Sequence, residues 1–126
     1  TFEYIEIPEL KNTSSLSKEQ IKEKEAELIL KYVKNTDKVV LLDERGKNFT
    51  SIEWSKELEK EIVSGTRSLI FIVGGAYGFS KTIYERANGK LSLSSMTFSH
   101  QIIRLFFIEQ LYRAFTIMKG EPYHNE

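Results

Sequence analysis

Three features of the chain predict an α/β fold, a mostly parallel sheet with helices on both faces. Two short runs, VVLL at Val39–Leu42 and LIFIV at Leu69–Val73, are apolar throughout, as a strand covered on both sides must be. The stretches between them carry apolar residues at helical spacing, several behind a capping sequence. Strand and helix candidates then alternate in the order β-α-β-α-β-α-β-α, which is the pattern of strands joined by crossover helices.

Phe2–Ile7 (FEYIEI) reads as the first strand, ended by Pro8, and the polar KNTSS after it is the one linker-like stretch. Ser17 and Gln20 have the spacing of a capping box, and Ile21, Leu28, Ile29, Tyr32 and Val33 recur on one face of a helix reaching about Lys34. Val39–Leu42 is a central strand, with Asp43–Asn48 as its exit loop. Thr50 and Glu53 form a second capping box for a helix bearing Ile52, Leu58 and Ile62, with Gly65 in the position of a C-terminal cap. Leu69–Val73 follows and empties into the glycine loop Gly74-Gly75-Ala76-Tyr77-Gly78. Ser80 caps a short helix that ends near Gly89, and KLSLS at 90–94 alternates like a strand exposed on one face. The final helix, from about His100 to Met118, is apolar around most of its circumference, more than one sheet face can cover.

Composition narrows the function. The 126 residues fit one domain, 1–126, and formal net charge is +0, so no broad electrostatic pull towards nucleic acid or an anionic membrane exists and any such attraction is local. Zero cysteines exclude disulfides, thiolate catalysis and thiolate metal sites, and the two histidines lack ligand spacing, so no metal is expected. No apolar run has the length of a membrane span and no leader pattern opens the chain; no membrane partner is expected and the cytoplasm is the expected compartment. The chain opens at Thr1 directly in a strand-like segment, and a further N-terminal segment is expected before it.

In a parallel sheet, ligands bind outside the carboxyl ends of the strands, so the loops after Leu42, Val73 and Ser94 should converge on one edge. The glycine loop among them is not a dinucleotide fingerprint, because its spacing is G-G-x-x-G and the ribose-binding position holds Ser94. Nor is it a P-loop, since Ser80 stands where a glycine must precede Lys81. Alone, a glycine pair is equally explained by a tight turn from strand into helix.

Read together, VGGAYG from Val73, LLDERGK from Leu41 and LSLSSMTFSHQIIRLFFIEQLYRAFTIMKGEPYH from Leu91 to His124 closely resemble the RlmH family across essentially the whole chain. These are SPOUT-class methyltransferases that use S-adenosylmethionine to methylate N3 of a pseudouridine in large-subunit (23S) ribosomal RNA. The resemblance implies a trefoil-knotted α/β fold and an obligate homodimer. By position it places cofactor contacts at Leu42, Gly74, Leu93, Ser94, Ser95, Met96, Thr97 and Phe98, which are the three loops the sheet rule had already located. The chain departs from the family at Ser99, where proline is common, at Asn125, where a basic residue is common, and in lacking the family's opening strand and helix.

For methyl transfer to a ring nitrogen, the residues themselves make His100, Arg104 and His124 the catalytic candidates and Arg104, Tyr123 and His124 the substrate-binding ones. His100 and His124 are the only imidazoles available as base or orienter, although His100 equally suits a helix cap and His124 a loose terminus. Arg104 lies one helical turn beyond His100 on the same side and suits a phosphate; Arg113, four residues after Glu109, suits an intrahelical ion pair. Tyr123 fits stacking on a base or packing on a partner subunit. The expected RNA is presented by assembled ribosomal particles. A non-catalytic RNA-binding or ribosome-assembly domain of the same fold, and a SPOUT ribose 2′-O-methyltransferase, stay open as alternatives.

Overall fold

The structure is a computed structural model that describes residues 2–7 and 10–125. Its elements are α1 (Lys18–Leu30), β1 (Lys38–Asn48), α2 (Ser51–Val63), β2 (Leu69–Val73), α3 (Lys81–Arg86), β3 (Gly89–Ser92) and α4 (His100–Met118). The three strands form one sheet in the order β2-β1-β3, and both pairings are parallel. The expected α/β class is therefore present, with β1 at its centre.

Alternation along the strands divides the core in two. Val39, Leu41 and Ile72 face Ala26 of α1, Ile83 of α3 and Phe79. Leu42 and Leu91, with Val40, Phe71 and Val73 beside them, face Trp54 and Leu58 of α2 and Phe107, Leu111 and Ala114 of α4. On this second face the rings of Trp54, Phe71 and Phe107 meet with centroids 5.9, 5.8 and 4.8 Å apart, edge-on or tilted as aromatic quadrupoles prefer. Covered from both sides, Leu41 and Val39 are almost wholly removed from water.

The helix starts follow their caps. Ser17 and Thr50 each accept from the third residue on while Gln20 and Glu53 reach back, and Ser80 and Ser99 cap α3 and α4 through their hydroxyls. Five segments differ from the sequence reading. Phe2–Ile7 is not a strand: no strand among the described residues stands beside it, so its backbone has no ladder to join, and Phe2, Tyr4 and Ile5 are exposed. Pro8, read as its terminator, lies outside the described residues. Helix α1 stops at Leu30, short of Lys34, because tertiary groups take over the backbone there: the Asp37 carboxylate accepts from the Lys34 N–H at 2.6 Å, and the Arg86 guanidinium donates to the carbonyls of Lys34 and Asp37 at 2.8 Å. On α2 the buried residues are Trp54, Ser55 and Leu58, while Ile62 is exposed.

The expected exit loop Asp43–Asn48 is instead the continuation of β1. Leu91 is the partner first of Leu42 and then of Lys47, so four residues, Asp43–Gly46, bulge between two stretches that pair with the same short strand. Gly46 permits this, since a Cβ there would lie 2.7 Å from the carbonyl carbon of Lys90 and 2.8 Å from the nitrogen of Leu91. Strand β3 in turn ends at Ser92, two residues before the expected Ser94.

Candidate functional site

Register places Leu42 level with Val73 on one side and Leu91 on the other, so the segments after all three strands leave from one edge of the sheet. Leu42 itself is 8% exposed and belongs to the core between the sheet, α2 and α4; Leu93 packs on the same cluster.

The glycine loop is shaped by what leans on it. A Cβ on Gly74 would meet the Phe79 ring at 3.1 Å, so the approach that requires this glycine comes from the protein's own core. A Cβ on Gly75 would lie 2.6 Å from Oε2 of Glu25, a half-buried carboxylate of α1. Gly78, at φ +82, turns the chain back and donates its N–H to the Gly75 carbonyl at 3.1 Å.

The third loop is open. Ser92 donates to the Ser94 carbonyl at 2.8 Å and Ser94 accepts from the Met96 N–H at 3.0 Å, which folds the segment tightly. The Ser95 hydroxyl donates to Asn48 at 3.4 Å and that of Thr97 to Glu44, tying this loop to the bulge of β1. Met96 is left 73% exposed, and Phe98 packs edge-on against Phe106 with centroids 5.4 Å apart. The eight predicted cofactor positions are thus gathered at one edge, although they do not line one cavity. A cleft of about 320 Å³ between β3, α2 and α4 touches only Leu93 among them, and another of about 250 Å³ lies at the amino end of β3.

His100 is the first residue of α4, half-buried, and the cap is Ser99, which settles the helix-cap reading against His100. Arg104, one turn on, is held by the Tyr4 hydroxyl and the Glu6 carboxylate, each at 3.3 Å; these two contacts push its already high pKa further up.

Tyr123 and His124 lie elsewhere. Arg113 donates to both carboxylate oxygens of Glu109, at 3.3 and 2.9 Å, and to Nδ1 of His124 at 3.0 Å. Its guanidinium carbon stands 4.7 Å from the centroid of the Tyr123 ring, whose hydroxyl donates to Glu109 at 2.8 Å. Hydrogen bonds from Arg113 and then Tyr123 hold the Glu109 carboxyl below its ordinary range, against the opposing effect of burial. A guanidinium only donates, so Nδ1 of His124 accepts and the ring proton is assigned to Nε2. His124 is accordingly no loose terminus. Arg104 and Arg113 are two and a half helical turns apart, on opposite sides of α4, so one chain does not bring His100 and Arg104 together with Tyr123 and His124.

Sequence reasoning missed Glu25, which is submerged in the charged run KEKEAE, and Glu44 and Asn48, which were assigned to a loop. Among the described residues no group of three or more His, Cys, Asp or Glu is placed to hold a metal, and no helix is long and apolar enough to cross a membrane.

A family profile described as "Predicted SPOUT methyltransferase" matches residues 1–124. Among curated proteins, the chain is 59% identical over 120 residues to the Ribosomal RNA large subunit methyltransferase H of Flavobacterium johnsoniae, an alignment covering 95% of this chain and 76% of that protein. It is 58% identical to the protein of the same name from Christiangramia forsetii, over 98% of this chain and 79% of the relative. The Bacteroides fragilis protein of that name is 56% identical, over 100% and 80%. Matched from Thr1 to His124, and with its strand ends and glycine loop on one sheet edge, the chain belongs to the SPOUT methyltransferase family.

Proposed function

We propose that this chain, acting as one SPOUT domain in a cytoplasmic homodimer, transfers a methyl group from S-adenosylmethionine to N3 of a pseudouridine in large-subunit ribosomal RNA. The observation that carries the reading is the convergence of three loops at the carboxyl edge of the sheet in a chain matched almost end to end by relatives of that name. The edge suits the cofactor chemically. Met96 and Phe98 offer exposed apolar surface for an adenine, Leu42 and Leu93 belong to the core at the same edge, Ser94, Ser95 and Thr97 offer polar groups, and Gly74, packed against Phe79, adds no side chain there. When bound, the cofactor supplies an electrophilic methyl on a sulfonium.

The protein's own part is positioning and charge. Arg104 faces a phosphate or carbonyl oxygen once it exchanges Tyr4 and Glu6 for RNA. Both contacts are exposed and screened by water, so the exchange costs little. With its proton on Nε2, His124 serves as a donor that orients the base and leaves the imino proton to another acceptor, with His100 at the opposite end of α4 as candidate. Glu109, Arg113 and Tyr123 hold that imidazole in place.

Dimerisation through α4 supplies what a single chain lacks. In a two-fold arrangement with antiparallel α4 helices, the Tyr123 and His124 end of one copy lies beside the His100 and Arg104 end of the other.

The test compares radiolabelled methyl incorporation into assembled large-subunit particles and into purified RNA of the same sequence, with calorimetric titration of S-adenosylmethionine alongside. Labelling of particles alone, at N3 of a pseudouridine and sharply reduced by Arg104→Ala, is the expected result. Cofactor binding without any transfer would favour an assembly role, and a methylated ribose would favour the 2′-O reading.

A further inference from the structure

One carboxylate of α1 reaches the loop edge. Glu25 projects from α1 against Gly75, with Oε2 where a Cβ of that residue would be. It is half-buried, and none of the hydrogen bonds or ion pairs among the described residues involves it, although Glu19 of the same helix, Glu61 of α2 and Glu109 of α4 all have cationic partners. Burial pushes its carboxyl above the ordinary range, and the charge of His100 offsets part of that rise. Glu25 therefore sets a carboxylate without a hydrogen-bond donor among the described residues directly against the glycine loop, at one of the converging strand ends. A half-buried carboxylate is costly unless a cation or donor satisfies it.

We propose that Glu25 receives the ammonium group of the cofactor's methionine end, so that α1 contributes a binding residue to the edge otherwise formed by the three strand-end loops. The assignment rests on the S-adenosylmethionine reading above and deepens it. Gly75 is part of the same device: with no side chain there, the carboxylate can come down onto the loop. An adjacent ammonium would exchange the desolvation penalty of Glu25 for a charge-assisted hydrogen bond.

Calorimetry with three ligands separates the possibilities. S-adenosylmethionine carries both the ammonium and the sulfonium, S-adenosylhomocysteine the ammonium alone, and 5′-methylthioadenosine neither, while all three share the adenosine. Glu25→Gln should weaken the first two alike, by about tenfold or more, as expected for a lost hydrogen bond to a charged group, and should leave 5′-methylthioadenosine unchanged. Gly75→Ala displaces the carboxylate by a different route, because the new Cβ meets the flexible end of Glu25 and no backbone. It should reproduce the same pattern.

Unchanged affinity for all three ligands in Glu25→Gln would overturn the proposal. A loss shared by 5′-methylthioadenosine would do the same, making Glu25 a brace for the loop, and a loss confined to S-adenosylmethionine would assign the carboxylate to the sulfonium instead. Failure of the unaltered protein to bind any of the three would remove the cofactor reading itself, and is distinguishable from all of these.

Discussion

Gly46 is the residue at which the backbone leaves least room. Its missing Cβ would contact main-chain atoms of Lys90 and Leu91, which cannot swing aside as a side chain would. Gly46→Ala should therefore lower unfolding stability by about 1 to 3 kcal/mol, the usual cost of overpacking, whereas Gly89→Ala, with open space around its Cβ, should be nearly neutral in the same urea titration. Beside Gly46, the Asp43 side chain is almost wholly buried. Burial raises its pKa, but the Tyr84 hydroxyl and the N–H and guanidinium of Arg45 outweigh that and leave it lowered overall. A carboxyl depressed on folding stabilises the protein above its unfolded pKa, and the contribution fades as pH falls through the folded value. Asp43→Asn should thus lower the melting temperature at neutral pH and narrow its gap to the unaltered protein under acid. At this scale the glycines were legible, because their spacing after an apolar run announces a turn. What leans on each was not: Phe79 over Gly74, Glu25 over Gly75 and β3 against Gly46 are contacts that only the folded chain creates.

Helix starts were legible, as were the ends at Val73 and Met118 and the cap at Gly65, while the ends of α1, β1 and β3 were not, and the difference is one of range. A capping box is written within four residues, and those at Ser17 and Thr50 form as read. Thr50→Ala should cost about 1 kcal/mol, because it releases the Glu53 N–H at the start of the helix that carries Trp54 into the core; thermal melting measures it. The missed ends depend on distant partners. Arg86 and Asp37 stop α1, and β3 draws β1 past its expected terminus. Phe2–Ile7 makes the same point from the other side, since its alternation is that of a strand but pairing needs a neighbour. In α4 the apolar circumference was plain from sequence. One side, with Phe107, Leu111 and Ala114, enters the core, and the other, with Leu105, Ile108 and Tyr112, is left to solvent.

For the whole molecule, that second side is the largest unsettled surface. Leu105 is 65% exposed and Tyr112 55%, and Ile102, Phe106, Ile108 and Phe115 of the same helix are exposed as well, large apolar groups that a partner surface would cover. The homodimer proposed above would cover it. Light scattering should report a dimer, and Leu105→Lys should shift it towards monomer without lowering helix content, since Leu105 lies outside the buried clusters. The two halves of the site at opposite ends of α4 make a second demand: the Leu105→Lys monomer should lose methyl transfer more completely than cofactor affinity.

The central place of β1 also bears on time. Both pairings of the sheet are parallel and both use β1, so Val39 must find Ile70 and Val40 must find Gly89 before any ladder exists, and no hairpin is available to start either. Each search closes a long stretch of chain, an entropic cost met before any contact repays it, which makes such topologies slow to fold. Until the closures occur, VVLL and LIFIV stay uncovered, and for that interval the same runs that become the driest part of the interior are the segments most prone to join another chain.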